Sequence, residues 1–167
     1  MRLHPIRLFL MGLCLALSAC GFHLRAVNEM PADLQSLAIE PDAPWSAFQR
    51  ELRQQLQASG ATITSKPKAI VFIKNESETS TNLAYGANGQ VNRVRVELSL
   101  DFEVHDDAGK TISGLQHIVV SRDYGVNPNA QLASDDEKNL IVHEMRKEAA
   151  LQLIRRLMSV KSAPETP

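Results

Sequence analysis

The chain has 167 residues, with 18 Lys and Arg against 19 Asp and Glu and a formal net charge of −1 at pH 7. That balance excludes a general nucleic-acid binder, which needs a strongly basic surface. Aromatic residues make up only 5%, which points to an aliphatic core without a stacking platform for bases.

Arg2 and Arg7 flank an apolar run from Leu8 to Leu17, and Leu17-Ser18-Ala19-Cys20 closes it. A positive start, a short apolar stretch and small residues before a cleavage point form a secretory signal. The terminal cysteine turns the closing run into a lipobox. The apolar stretch is shorter than the roughly 20 residues a spanning helix needs, so residues 1–19 are expected to be removed. Cys20 then becomes the mature N-terminus, N-palmitoylated and bearing an S-diacylglycerol group. Each buried methylene contributes about 0.8 kcal/mol, and more than one chain makes anchoring effectively stable. An ordinary secretory signal with a chance cysteine is the competing reading. Lipoproteins of two-membrane bacteria that stay in the inner membrane resemble one another in an aspartate after the cysteine. Here that place holds Gly21, so the expected location is the outer membrane, facing the periplasm. With Cys14 in the signal and Cys20 lipidated, the remaining chain has no disulfide and no free thiol, and packing must stabilise it.

Residues 20–33 read as a lipidated tether that packs early on the domain, residues 34–160 as a single domain, and residues 161–167 as a disordered tail. Leu34 to Glu40 is a first strand. Asp42 is the expected cap of a helix with Pro44 in its first turn, and Trp45, Phe48, Leu52 and Leu56 recur at helical spacing until Gly60. Ile70 to Lys74 is a second strand, apolar on both faces and hence central in a sheet. Glu76 to Asn82, rich in Ser and Thr, reads as a loop, and Asn88-Gly89 marks a turn. Val94, Val96, Leu98, Leu100, Phe102 and Val104 then alternate with Arg93, Arg95, Glu97, Ser99, Asp101 and Glu103. That period puts one side of the strand on a core and the other in water. Asp106-Asp107-Ala108-Gly109 turns the chain into a further strand, Thr111 to Tyr124, with a bulge at Gly114.

After a loop around Asn127-Pro128-Asn129, Ser134 and Glu137 have the spacing of a capping box for a long C-terminal helix, with Asp135 and Asp136 complementing its dipole. Ile141, Met145, Ala149, Leu153 and Leu157 form its main apolar stripe, and Leu140, Leu151, Ile154 and Met158 fall on a second one. The second stripe is either a broad core-facing surface or a partner interface. The order β-α-β-β-β-α gives an α+β two-layer sandwich: a mostly antiparallel sheet of about four strands with both helices on one face.

No catalytic constellation emerges. His143-Glu144 lacks the second histidine that a zinc helix requires, there is no Gly-x-Ser-x-Gly elbow, and Asp106-Asp107 sits where aspartates stabilise a turn. No metal or cofactor is expected, and the chain reads as a binding or assembly protein rather than an enzyme. Arg93 and Arg95 share the wet face of the long strand about 7 Å apart, a spacing that suits two phosphates of one amphiphile. Pairing across the sheet with acids, Glu97, Asp101 and Glu103 being near, is the favoured alternative.

Cys20-Gly21-Phe22-His23-Leu24-Arg25, Asn88-Gly89-Gln90, Asn127-Pro128, Ile141-Val142-His143-Glu144-Met145 and Leu153-Ile154-Arg155-Arg156-Leu157 occur in this order along one β-α-β-β-β-α plan. Together they resemble the LPS-assembly lipoprotein (LptE) family over most of the chain after Cys20. The resemblance implies an outer-membrane lipoprotein that sits in the lumen of the LptD β-barrel as plug and assembly factor and binds lipopolysaccharide. The family's lipopolysaccharide-contacting basic places correspond here to Ala87 and Ser134, neither basic. Arg93 and Arg95, with Lys138, are the candidates to replace them. The competing function is a free-standing periplasmic lipoprotein that binds an amphiphile or cell-wall fragment without a barrel.

Overall fold

The computed structural model describes residues 30–41 and 46–160. A 3-10 turn at Ala32–Leu34 leads to β1 (Ser36–Pro41), α1 (Ala47–Ala58), β2 (Thr62–Ile63), β3 (Ala69–Tyr85), β4 (Val91–Asp106), β5 (Thr111–Gly125) and α2 (Gln131–Ser159). The strands form one sheet in the order β2-β1-β3-β4-β5. β1 runs parallel to β2 and β3, while β3, β4 and β5 make an antiparallel meander. The α+β two-layer sandwich stands, with five strands rather than about four. The additional one, β2, is two residues long and too short to leave a period in the sequence. The expected signal peptide, the Cys20 anchor, Asp42, Pro44, Trp45 and the tail from residue 161 lie outside the described residues.

The alternation of β4 sets the core. Val94, Val96, Leu98, Leu100, Phe102 and Val104 are all buried. The same face of the sheet carries Leu37 and Ile39 of β1, Val71 and Ile73 of β3, and Ile118 and Val120 of β5. α1 covers it with Phe48, Leu52 and Leu56, and α2 with Met145, Ala149, Leu153 and Leu157, in one hydrophobic cluster. Both helices thus lie on one face. Met30, 2% exposed, belongs to this core, so the packed chain starts ahead of Leu34. Side-chain clamps hold α2 from both sides: Arg146 bonds Glu78 of β3 at 2.8 Å, Glu148 pairs with Arg122 of β5, and Arg156 donates to the His117 carbonyl of β5 at 2.7 Å.

Helix ends and turns follow local chemistry. The N-cap of α1 is Ser46, whose hydroxyl accepts from the Gln49 N–H at 2.9 Å, in place of the expected Asp42. At its other end the Gly60 and Ala61 N–H groups bond the carbonyls of Gln57 and Leu56, and Gly60 takes φ 86°. This is a Schellman stop of the kind glycine allows. The Asp106–Gly109 hairpin uses the Asp106 carboxylate to accept from the Ala108 and Lys110 N–H groups. Between Phe102 and Val104 the register of β5 skips one residue, at Gly114 and Leu115, so the bulge falls as expected.

Two expectations are corrected. Glu76 to Asn82 is not a loop: β3 continues through it to Tyr85, paired with β4 from Ser77 onward. The polar run hid the strand because neither of its faces is buried, which removes the apolar alternation that marks one. Ser134 and Glu137 do not cap α2, which begins at Gln131 after Ala130. Ser134 is instead buried inside the first turns, where its hydroxyl accepts from the Asn127 N–H at 3.0 Å and donates to the Ala130 carbonyl. It fastens the preceding loop to the helix rather than starting the helix.

Replacing Phe102, fully buried, with alanine is expected to cost about 3–5 kcal/mol of stability in urea unfolding. The same change at Leu140, 64% exposed, is expected to stay within about 0.5 kcal/mol.

Candidate functional site

The face of the sheet that the helices leave uncovered carries the polar half of the β4 alternation. Its side chains meet across strands rather than along β4. Arg95 Nε and Nη2 bond the two carboxylate oxygens of Asp123 on β5 at 2.7 and 3.1 Å, consistent with the register that sets Arg95 opposite Asp123. Asp101 receives the Asn75 side-chain amide at 2.7 Å and faces His117 Nδ1 at 2.6 Å. Glu103 takes Lys74 Nζ at 2.7 Å with His105 Nε2 3.4 Å away. The His105 ring also lies 5.0 Å from that of Phe72, tilted at 57°. The face is therefore a ladder of charge pairs flanked by Ser and Thr side chains.

These contacts set the carboxyl groups. Asp123 is held below the usual carboxylate range by the hydrogen bond and charge of Arg95, and the same pair raises Arg95 above its ordinary value. The Asn75 amide, then His117, lowers Asp101; Lys74 lowers Glu103.

The structure brings together two of the sequence candidates and separates the rest. Arg93 and Arg95 share the uncovered face, yet Arg95 is already engaged in a forked bond. Its partner is Asp123, not Glu97, Asp101 or Glu103. Only the cross-strand register selects Asp123, and no spacing within β4 reveals it. Arg93 is exposed at the start of β4 and acts through space on Asp123. Lys138 is half-buried on α2, the helix that covers the opposite face, so it does not join the arginines. Of the second stripe on α2, Ile154 is in the core at 3% exposed, where it is out of a partner's reach. Met158 packs partly against that core, Leu151 is half-buried, and Leu140 alone of the four stands in solvent.

Among the described residues no group of three or more His, Cys, Asp or Glu is placed to hold a metal ion, and no helix is long and apolar enough to cross a membrane. An open cavity of about 540 Å³ lies between the Asp106–Lys110 hairpin, Pro31, Leu34 and Val160. It is at the far end of β4 from Arg93, about 40 Å away at strand rise, so the arginines and the cavity are not one site.

A carboxylate whose pKa is lower in the folded than in the unfolded chain gives stability above the ordinary carboxylate range. That stability is lost as pH falls through the folded value. Asp101, Glu103 and Asp123 are all of this kind, so the urea midpoint is expected to drop as pH is lowered from about 5 to about 2. Asp101→Asn is expected to flatten that drop, read by circular dichroism across the same pH series.

Comparison with known proteins adds a family to this geometry. Residues 34–157 match the family model described as LptE, lipopolysaccharide-assembly. An LPS-assembly lipoprotein LptE from Pectobacterium atrosepticum is 31% identical over 97% of this chain and 90% of its own length. One from Yersinia pestis is 33% identical over 96% of this chain and 79% of its own. Among solved structures, a solution structure of uncharacterized lipoprotein B from Nitrosomonas europaea superposes with a TM-score of 0.72 at 22% identity, covering 86% of this chain and 94% of that one. The crystal structure of rare lipoprotein B from Shewanella oneidensis gives 0.64 at 22% identity over 74% and 93%; both share the fold. With a family match spanning nearly all of the described domain and relatives above 30% identity over almost the whole chain, the chain belongs to the LptE family of lipopolysaccharide-assembly lipoproteins.

Proposed function

We propose that this chain is an outer-membrane lipoprotein of lipopolysaccharide assembly, anchored through Cys20, that works inside the lumen of an LptD-type β-barrel as its plug and assembly factor. The family match over residues 34–157 carries this reading. The sheet supports it. One face is sealed by two helices while the other is a wet ladder of charge pairs, and large outer-membrane barrels have polar interiors. A domain with such a surface can be enclosed by a barrel while burying few unpaired charges.

Lipopolysaccharide is the ligand in this reading, and Arg93 and Arg95 are its phosphate contacts. Arg93 has no hydrogen bond to a described residue and is ready for a forked bond to phosphate. Arg95 has to exchange Asp123 for the ligand. Lys138, on the other side of the sheet, contributes a separate contact.

A C-terminally tagged copy extracted gently from outer membranes is expected to bring down a large barrel in stoichiometric amount. Recovery of the lipoprotein alone would favour the free-standing amphiphile binder instead. Leu140→Ala is expected to lower barrel recovery while leaving the urea midpoint in place. Replacing Arg93 and Arg95 together with glutamine is expected to weaken lipopolysaccharide binding at fixed salt by about tenfold or more, as the loss of a charge-assisted bond does. An unchanged affinity rejects the two arginines as the contact.

A further inference from the structure

Among the described residues β3 is covered along only part of one side. β1 pairs with it from Ala69 to Ile73, Pro41 being the last residue of β1 that is paired. From Lys74 to Tyr85 β3 keeps β4 on one side, and among the described residues no strand lies on the other. The uncovered edge is about 40 Å long at strand rise. Its start is marked by Asn75 at φ 52° and a register skip between Lys74 and Ser77.

Hydrogen-bond parity identifies the backbone groups on that edge. Val126 N–H bonds the Asn92 carbonyl and Asp106 N–H bonds the Lys110 carbonyl, so the even residues of β4 face β5 and its odd residues face β3. Ser77, Thr79 and Thr81 stand opposite Ser99, Glu97 and Arg95 and therefore bond to β4. The N–H and C=O groups of Glu78, Ser80 and Asn82 point outward.

The two edges of the sheet are treated differently at this end. On β5 two outward carbonyls are taken by arginines: His117 by Arg156 at 2.7 Å and Ser121 by Arg122 at 2.9 Å. Cationic side chains and bulges are the usual means of blocking an edge against further pairing. The β3 edge has no such block. From Asn75 to Tyr85 there is no Lys, Arg or Pro, and small Ser and Thr side chains, with Thr favouring extended backbone, leave room for a neighbour. Beside the first uncovered residues, Glu76 Oε2 is buried and lacks a donor among the described residues, whereas the adjacent acid Glu78 has Arg146.

We infer that the uncovered edge of β3 is a strand-addition site that takes an extended segment of the barrel polypeptide. This rests on the barrel reading above. The edge's own chemistry selects the occupant, since a row of alternating N–H and C=O groups otherwise left to water is paired in register by another extended chain, and the enclosing barrel of the reading above supplies such a chain.

The test uses the full lipidated chain in cells. A photo-crosslinking residue at Thr79 or Thr81, on the β3 edge, is expected to join one defined stretch of the barrel polypeptide, whereas one at Ser121, on the blocked β5 edge, is not expected to join that stretch. Ser80→Pro removes an outward N–H without removing a bond to β4 and is expected to lower barrel recovery about tenfold with the melting temperature of the free domain retained. If the barrel is recovered with the native chain but Thr79 and Thr81 do not crosslink to it, the strand-addition site is overturned and the barrel reading survives. If no barrel is recovered at all, both fall. Crosslinks from Thr79 to a second copy of this chain overturn the barrel segment as the occupant. Should Ser80→Pro unfold, the crosslinks, made on an unaltered backbone, decide alone.

Discussion

A strand of 16 residues that is apolar on one side only must have that side covered over its whole length. The buried apolar positions of β4 run from Val94 to Val104, about 34 Å at strand rise, and α2, with 29 residues, is long enough to cover them at about 44 Å. α1, with 12 residues, is about 18 Å long and could not do so alone. The rest of the molecule is arranged around that match. Arg146 and Glu148 reach down to either side of β4 and fix the helix over it. The small side chains of Ala149 and Ala150, both fully buried, let α2 approach closely where it meets the sheet and α1.

The charge ladder on the other face is the complement of this arrangement. Once the apolar half of each strand is committed to the helices, the polar half is left facing water, and cross-strand neighbours neutralise one another. Such pairs are each worth little when solvated. Their effect is to leave few unpaired charges, so that the face can lie against a polar wall. Arg93 stands out because its strand neighbours are Ala84 and Gly125, neither of which can pair with it.

What could be read from the sequence divides along the same physical line. β4, the Asp106–Gly109 turn, the Gly114 bulge and the α1 stop at Gly60 were all legible, because each depends on a local pattern or on one residue's backbone freedom. The far half of β3 was not, since a strand wet on both faces has no hydrophobic period and is held only by its neighbour. The same applies to Ser134, whose spacing to Glu137 fits a cap while its hydroxyl serves a loop seven residues upstream. Ile154 falls off the main stripe on a helical wheel, yet it is buried in the common core, and a wheel does not show what packs around a helix. Arg95 was read as pairing across the sheet. Its actual acid, 28 residues away, depends on a register that the Asp106–Gly109 hairpin and two register shifts determine together.

The mixed topology also sets an order of assembly. The meander from β3 to β5 closes through two short hairpins and collects α2 directly afterwards, so its contacts are local and quick to form. β1 joins β3 in parallel, which obliges the chain to complete α1 and β2 first and to close a loop from Leu37 to Ala69 at a larger entropic cost. The N-terminal unit is therefore the last to dock and the first to open. The described chain also begins in it, at Met30, so a load applied ahead of that residue would fall on five β1–β3 pairs before it reached the meander. The fold thus contains a mechanically weak seam between its N-terminal strand and the part that carries the long strands.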